Sequence, residues 1–424
     1  MKKGILSVGL LFFLIGGVVQ SEENTFSLGY DQLDQLIREK NGSVQSSIQL
    51  LDASRVRTDS FKRSFLPQIS ASLGSEVFYN GGMNQARLQP VGSLDLLMNL
   101  SRGGQDEQEE AIRQAQVGLA LVQSHKVYAT ELMHAQQLYW DIVFSDEMIS
   151  RTQDSLKQNA KSYDATKRRF QRGLLTQSDL MAFEIYKSRL EEAVESLNHE
   201  KKILVMKLQA LLGLPETTVL FLTQQSLLHE HREDFLKEVL ASDQAYEIQE
   251  LIINEQILGF QIAKMTGKNK PSIDLFSTYT LYTEAERSFA NVTDRAEVAG
   301  GIRAQFLLFD GNQNQSELKS LTIKRAALSE FLTYKKHLVF TELKAFQEEL
   351  IHLHDLLHHS ESRLSKTKTF LHYVFEDYDR GVKNSTDVLT ALQVYQEMQE
   401  NYVRQKRAYQ KIKSELLALI PSRK

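Results

Sequence analysis

Cysteine is absent from this 424-residue chain, tryptophan occurs once and proline only 5 times. Without cysteine there is no disulfide, no thiolate nucleophile and no cysteine metal site; the composition fits an oxidising compartment without choosing one. Neither sign of charge dominates. Lys and Arg number 50 against 54 Asp and Glu, for a formal net charge of −4. That balance provides no argument for nucleic acid. Beyond Glu22 no apolar run reaches 18 residues, so no further membrane-spanning helix is expected. HExxH and a glycine-rich phosphate loop are also missing. Loose carboxylates on long helices are solvated charge, so neither an enzyme nor a cofactor is expected.

The N-terminus carries what the rest lacks. "MKK" precedes the apolar run "GILSVGLLFFLIGGVVQ" and polar "SEEN" follows. This is the layout of an export signal, expected over residues 1–21 with cleavage near Gln20 to Glu22. A single membrane anchor is the alternative. No cysteine follows the run, which excludes a lipid anchor on cysteine. Export without a spanning helix leaves a periplasmic or secreted protein, a surface-attached protein, or a membrane β-barrel.

The scarce prolines fall at boundaries. Pro67 and Pro271 open short alternating segments, Pro90 follows a glycine-rich turn, Pro215 ends "LLGLP" and Pro421 ends the last helix. Between them one order of elements reads twice. A helix over 29–64, interrupted near "NGS", leads to strands over 67–79 and 91–101. A helix over 105–171, a glycine turn and a helix over 178–212 follow. After a linker the order returns: helix 233–266, strands 271–283 and 297–309, helix 312–378, turn, helix 386–420. Thus 22–215 and 233–424 read as two repeats joined by a linker, 216–232. The turns themselves match. "FQRGLLTQSDLMAF" and "YDRGVKNSTDVLTAL" align Phe170 with Tyr378, Gly173 with Gly381, Asp179 with Asp387 and Leu180 with Val388, 208 residues apart.

Periodicity describes the helices. Val388, Tyr395, Tyr402, Tyr409 and Leu416 recur every seven residues, as do Leu190, Leu197, Leu204 and Leu211. A seven-residue repeat keeps its stripe against a neighbour when helices supercoil. A helix over 312–378 would reach on the order of 100 Å at 1.5 Å per residue, so an elongated structure is expected. The strands alternate instead. Leu94, Leu96, Met98 and Leu100 share one face; Ile69, Ala71, Leu73 and Val77 oppose Gln68, Ser70, Ser72 and Glu76; Ile302, Ala304, Phe306 and Leu308 oppose Arg303 and Gln305. Barrel strands between lipid and a wet lumen have this form, although an exposed sheet has it too. Four strands cannot close around a lumen, so a membrane reading makes the chain one sector of an oligomeric barrel.

These features together resemble the TolC-type outer membrane efflux protein family. The likeness covers nearly the whole mature chain. It rests on the repeated order, on the two tip motifs, on "LLFDGN" and its looser counterpart "NLSRGG" at the strand-to-helix junctions (Asp310 and Gly311; Gly103 and Gly104), and on "LLGLP". The resemblance implies a mixed α and β fold. A homotrimer would form a twelve-stranded outer-membrane barrel, four strands per chain, continuous with a long periplasmic α-helical barrel. It implies outer membrane lipid around the barrel and, at the closed tip, a periplasmic adaptor (membrane fusion) protein and an inner-membrane transporter or ABC ATPase. The function implied is passive conduction in a tripartite efflux or type I secretion system. The competing reading is an exported structural or adhesive coiled-coil protein.

At the tip, Gly173 and Gly381 are read as turn formers. Asp179 and Asp387 either cap the returning helices or, by the resemblance, stand near a gate where a ring of carboxylates favours cations. The resemblance also places Tyr378 where a tyrosine is hydrogen-bonded across the closed tip. The chain departs from the family pattern at Lys383, where Arg is usual, and at Thr390, where a second Asp is usual; altered gate chemistry is expected. His352, His354, His358 and His359 read as helix-surface or packing residues, since two imidazoles four apart are an incomplete zinc site. Trp140 reads as interhelix packing. The basic tract "KQNAKSYDATKRRFQRG" reads either as a solvated helix end or as an adaptor contact.

Overall fold

The computed structural model describes residues 25–80, 85–223, 242–282 and 295–419. The expected signal at 1–21, Pro421, part of the linker and residues 233–241 lie outside them. The described chain is built on two helical hairpins. The first pairs α3 (Gln105–Gln171) with α4 (Gln177–Leu211). In the second, α6 (Gln313–Asp379) returns as α7 (Ser385–Leu419). Both outgoing helices have 67 residues and both returning ones 35. At 1.5 Å per residue the longer pair spans about 100 Å. Ahead of the hairpins stand α1 (Gln32–Lys40) and α2 (Gly42–Lys62) in the first half and α5 (Tyr246–Gly267) in the second. Asn41 explains the break expected near "NGS": its backbone is extended and its side chain caps α2 by accepting from Val44 N at 3.0 Å.

The core is divided rather than central. One cluster joins Leu33, Ile37, Tyr139, Ile142 and Leu208 midway along the first hairpin. A second lies near the tips, with Phe183, Tyr378, Val388 and Leu392. The third packs Ile248 on Leu343 and Leu416. Trp140 packs in the first, between Tyr30 and Phe144, as read from the sequence. Where α3 meets α7 the seam is polar. Thr152 and Ser155 are buried there. Ser155 Oγ donates to Gln396 Oε1 at 2.7 Å, and Gln396 Nε2 donates to Thr152 Oγ1 at 3.3 Å.

Four strands form one antiparallel sheet in the order β2 (Gln68–Asn80), β3 (Gln85–Ser101), β5 (Ser272–Tyr282), β6 (Arg295–Gln305). Register gathers the apolar residues on a single face: Ile69 opposite Leu96, Ala71 opposite Leu94, Leu94 opposite Tyr279, Met98 opposite Leu275, Leu275 opposite Ile302 and Tyr279 opposite Val298. The other face carries Ser70, Ser72, Ser93, Asp95, Thr278 and Thr280, with Val91, Leu97, Phe276 and Ala299 among its apolar members. The apolar face is open: Leu73 is 83% exposed, Val298 72% and Ile302 70%.

Three expectations need correction. The strand over 91–101 begins at Gln85 and runs through Pro90, which pairs with Ser75 of β2 and, on the side of β5, sits one residue outside the register that starts with Val91 opposite Tyr282. A missing N–H is tolerated at such a margin. The strand over 297–309 stops at Gln305, because its partner Ser272 is the first residue after Pro271 and the ladder has nothing further to pair with. Phe306 and Leu308 therefore lie beyond the strand. Finally, the linker contains β4 (Val219–Leu222), which pairs in parallel with β1 (Thr25–Leu28).

Sheet passes into helix through two consecutive left-handed residues in each half. Gly103 and Gly104 have φ of 65° and 86°, Gly311 and Asn312 of 68° and 67°. Asp310 then caps α6, accepting from Asn312 N at 3.0 Å and Asn314 N at 2.8 Å. A Cβ on Gly103 would lie 2.6 Å from Lys270 Cβ and 2.9 Å from Gly267 O, whereas one on Gly104 would meet nothing within 4 Å. Gly104→Ala is expected to cost about 1–2 kcal/mol from its backbone angle alone. Gly103→Ala adds the clash and should lower the thermal midpoint clearly further; equal midpoints for the two variants would contradict the close approach.

Candidate functional site at the hairpin tips

Both outgoing helices stop in the same way. Gly173 (φ 74°) donates to Phe170 O at 2.8 Å and Leu174 N to Arg169 O at 3.1 Å. Gly381 (φ 82°) donates to Tyr378 O at 3.0 Å and Val382 N to Asp377 O at 2.9 Å. These are paired Schellman bonds, which need a left-handed residue at the position glycine fills. The returning helices begin with reciprocal caps. Thr176 N donates to Asp179 Oδ2 at 2.9 Å while Thr176 Oγ1 accepts from Asp179 N at 3.4 Å. In the second copy Asn384 N donates to Asp387 Oδ2 at 3.1 Å and Asp387 N to Asn384 Oδ1 at 2.9 Å. Each Asp thus satisfies donors that a helix start leaves open. The hydroxyl and then the N–H of Thr176 hold the Asp179 carboxyl below the usual carboxylate range. The stabilisation of a depressed acid is present above its ordinary value and is lost as pH falls through the depressed one. This cap therefore fails only below about pH 4.

The hairpins are joined to one another by Tyr378. Its side chain is buried, and its hydroxyl shares a 2.8 Å hydrogen bond with Thr166 Oγ1 of α3. The Arg169 guanidinium lies 4.3 Å from the centre of the Tyr378 ring. Its Nη2 donates to Tyr378 O and, at 3.0 Å, to Asp379 O. Those carbonyls end α6, so a planar cation meets both the negative end of the helix and an aromatic face. Lys383 turns to Asp387 in its own turn, 3.9 Å away, with both side chains substantially exposed. Thr390 donates to Thr386 O at 2.9 Å.

Of the residues singled out from the sequence, Gly173 and Gly381 form the turns, Asp179 and Asp387 cap helices, and Tyr378 reaches across hairpins. Thr166 and Arg169, its partners, were not singled out. Arg169 belongs to the basic tract noted before the first tip, but nothing in the tract marks which of its cations turns inward. Of the histidines, His354 lies beside Tyr409, ring centres 6.4 Å apart. Among the described residues no group of three or more His, Cys, Asp or Glu is placed to hold a metal ion.

Long paired hairpins carrying a four-stranded sheet are the fold of the TolC-type outer membrane channels, as the sequence resemblance implied. Three solved structures illustrate the likeness. VceC, an outer membrane protein of Vibrio cholerae, has a TM-score of 0.79 at 12% identity, with 92% of this chain and 95% of that chain covered. CusC, described as forming a transmembrane channel, has 0.78 at 15%, covering 93% and 92%. CmeC, an outer membrane channel of Campylobacter jejuni, has 0.77 at 11%, covering 98% and 93%. No protein-family model and no curated protein matches the sequence. At these identities the likeness speaks for the fold.

Tyr378→Phe is expected to cost about 1 kcal/mol, the worth of one neutral hydrogen bond. Arg169→Ala removes bonds from a charged donor, about 1.5–3 kcal/mol for such contacts. Amide hydrogen exchange over 376–390 should therefore quicken more in Arg169→Ala than in Tyr378→Phe. The reverse order would show that the hydroxyl, not the cation, joins the hairpins.

Proposed function

We propose that the chain is one protomer of an outer membrane channel, the duct of a tripartite efflux or type I secretion system. The observation that carries this reading is the sheet: one continuous exposed apolar face, one mainly polar face, and two edge strands, β2 and β6, without a described neighbour. In lipid such edges must be closed by other strands. Two copies would make an eight-stranded barrel, whose interior side chains fill. Three copies make twelve strands and leave a lumen, and cyclic symmetry closes the ring. No described helix is long and apolar enough to cross a membrane. On this reading 22–215 and 233–424 are two copies of one unit, and their hairpins continue the duct as a helical barrel through the periplasm. The tips meet an adaptor protein and an inner-membrane transporter or ABC ATPase. Cargo passes without reaction.

In detergent the protein should run as a heat-modifiable trimer and conduct ions in planar bilayers. A detergent-free soluble rod without conductance would defeat the channel and favour an exported structural or adhesive protein.

Asp179, repeated by symmetry, is the gate carboxylate of this proposal, with Lys383, Asp387 and Tyr378 around it. Asp179→Asn removes the charge but keeps an oxygen for the cap. It and Lys383→Ala should raise single-channel conductance, and Asp179→Asn should weaken cation block. Unchanged conductance and block in both variants would remove the gate assignment and leave the channel standing.

A further inference from the structure

Far from the tips, oxygen atoms gather where β3 gives way to α3. Asn99 is the last residue of β3 before a bulge that shifts its register against β5, and bulges of this kind re-aim side chains. It is buried, 8% exposed. Its Nδ2 donates to Asp106 Oδ2 at 3.0 Å, in the first turn of α3. That bond fixes which corner of the amide is nitrogen. The other corner, Oδ1, is buried without a hydrogen-bond partner. A buried carbonyl oxygen is costly in that state unless a donor or a positive charge meets it.

Directly across the ladder, on the same face, stands Asp274. Opposed strand residues have Cβ atoms about 4.5–5.5 Å apart, so its carboxylate and the Asn99 amide are within reach of one ion. The Asp274 carboxylate has no hydrogen-bond or ion-pair partner among the described residues. Arg303 is opposite it on β6, but that guanidinium lies over the Phe276 ring, 4.4 Å from its centre. Arg102 comes only to 3.9 Å from Asp106 Oδ1, and Lys270, beside Gly103, is exposed. Two carboxylates and an amide oxygen are the donors of a hard divalent cation. A water could bond Oδ1 but would bring no charge to the carboxylates. A strand ladder and a helix start impose no octahedron, and calcium accepts irregular sets that include amide carbonyls, whereas magnesium does not. We propose that Asn99 Oδ1 and the Asp274 carboxylate bind one calcium ion per chain. Asp106 holds the Asn99 amide in place and adds its charge, and water fills the remaining positions. Among the described residues no three His, Cys, Asp or Glu come together, and this set is compatible with that because its central ligand is an amide. The ion ties β3 and β5 to the first turn of α3, across the turn made by Gly103 and Gly104. The site rests on the fold and not on the channel reading.

The test uses the full-length protein in detergent, stripped with EDTA and dialysed against radiolabelled calcium at physiological salt. Its thermal midpoint is recorded with and without the ion. One calcium per chain should bind and raise the midpoint, and magnesium should raise it less. Asp274→Asn removes a charge at constant size, and Asn99→Leu removes the amide oxygen. Each should lower calcium affinity about tenfold or more. Asp95→Asn is the control: Asp95 lies on the same face, where it accepts from Ser93 Oγ at 2.7 Å, and its loss should leave calcium affinity unchanged. Should Asn99→Leu misfold, Asp274→Asn decides alone. Absence of saturable binding to the unaltered protein would overturn the inference. Binding that survives Asp274→Asn would place the ion elsewhere and overturn it too. An equal loss in Asp95→Asn would do the same, since it would mark diffuse attraction to the acidic residues of that face.

Discussion

On the channel reading, a strand in hydrocarbon must find a partner for every N–H and C=O on its edges, and in this chain that demand would fall on β2 and β6. Each unpaired group in lipid costs several kcal/mol, far more than any single side-chain contact described above. On that reading the sheet's apolar face and its open edges would have one solution together: more copies of the same sheet. The paired left-handed residues at Gly103–Gly104 and Gly311–Asn312 matter for the same reason. They turn the chain abruptly from the last strand residues into helices about 100 Å long, so that closure of the sheet also sets where the helices stand around the axis.

Helices of that length cannot share one core. Three separate clusters follow: one midway along each hairpin, at matching places of the repeat, and one near the tips. Between clusters, polar bonds take over. Midway along, Glu147 accepts from Arg151 at 2.6 Å on its own helix and from Lys406 at 2.8 Å on α7. Burial alone would push its carboxyl up, but the hydrogen bonds and charges of Lys406 and Arg151 outweigh it and hold the group below its usual range. The link is present at neutral pH and is lost as pH falls through the depressed value. The Ser155–Gln396–Thr152 chain plays the same part closer to the tip. Buried polar bonds of this kind fix the register of two helices more sharply than interchangeable apolar contacts do.

The hairpin helices were legible almost to the residue, because the relevant signals are local: glycine at the turn, a polar cap, and apolar rows at seven-residue spacing; the helix expected from 233 instead starts at Tyr246, after a 3-10 turn over Ser242–Gln244. Val388, Tyr395 and Leu416 are buried as their row implies. What the sequence hid was pairing. β1 and β4 are 4 residues each and exist only because they meet, with nearly two hundred residues between them. The end of β6 depends on Pro271 of another strand, not on the continuing "FLLF" alternation. Gln396 and Gln399 look like ordinary solvated helix residues, and only the approach of α3 buries them. Arg169 was hidden in the same way, by neighbours that carry the same charge.

The tip shows how one layout can hold two kinds of restraint. Asp179 and Asp387 take their cap bonds within their own hairpins, where their oxygens organise the start of a helix, although the Asp179 carboxyl also feels the Ser385 hydroxyl of the other hairpin. Tyr378, Thr166 and Arg169 instead join one hairpin to the other within a single chain. A contact within a hairpin keeps its geometry when the hairpin moves as a rigid body; a contact between hairpins cannot. Any separation of α6 from α3 must therefore break the Tyr378 hydroxyl bond and pull Arg169 from two helix-end carbonyls, while both caps survive. On the channel reading, Arg169 and Tyr378 would add a resistance to opening within each protomer, beside the gate proposed at Asp179 and Lys383.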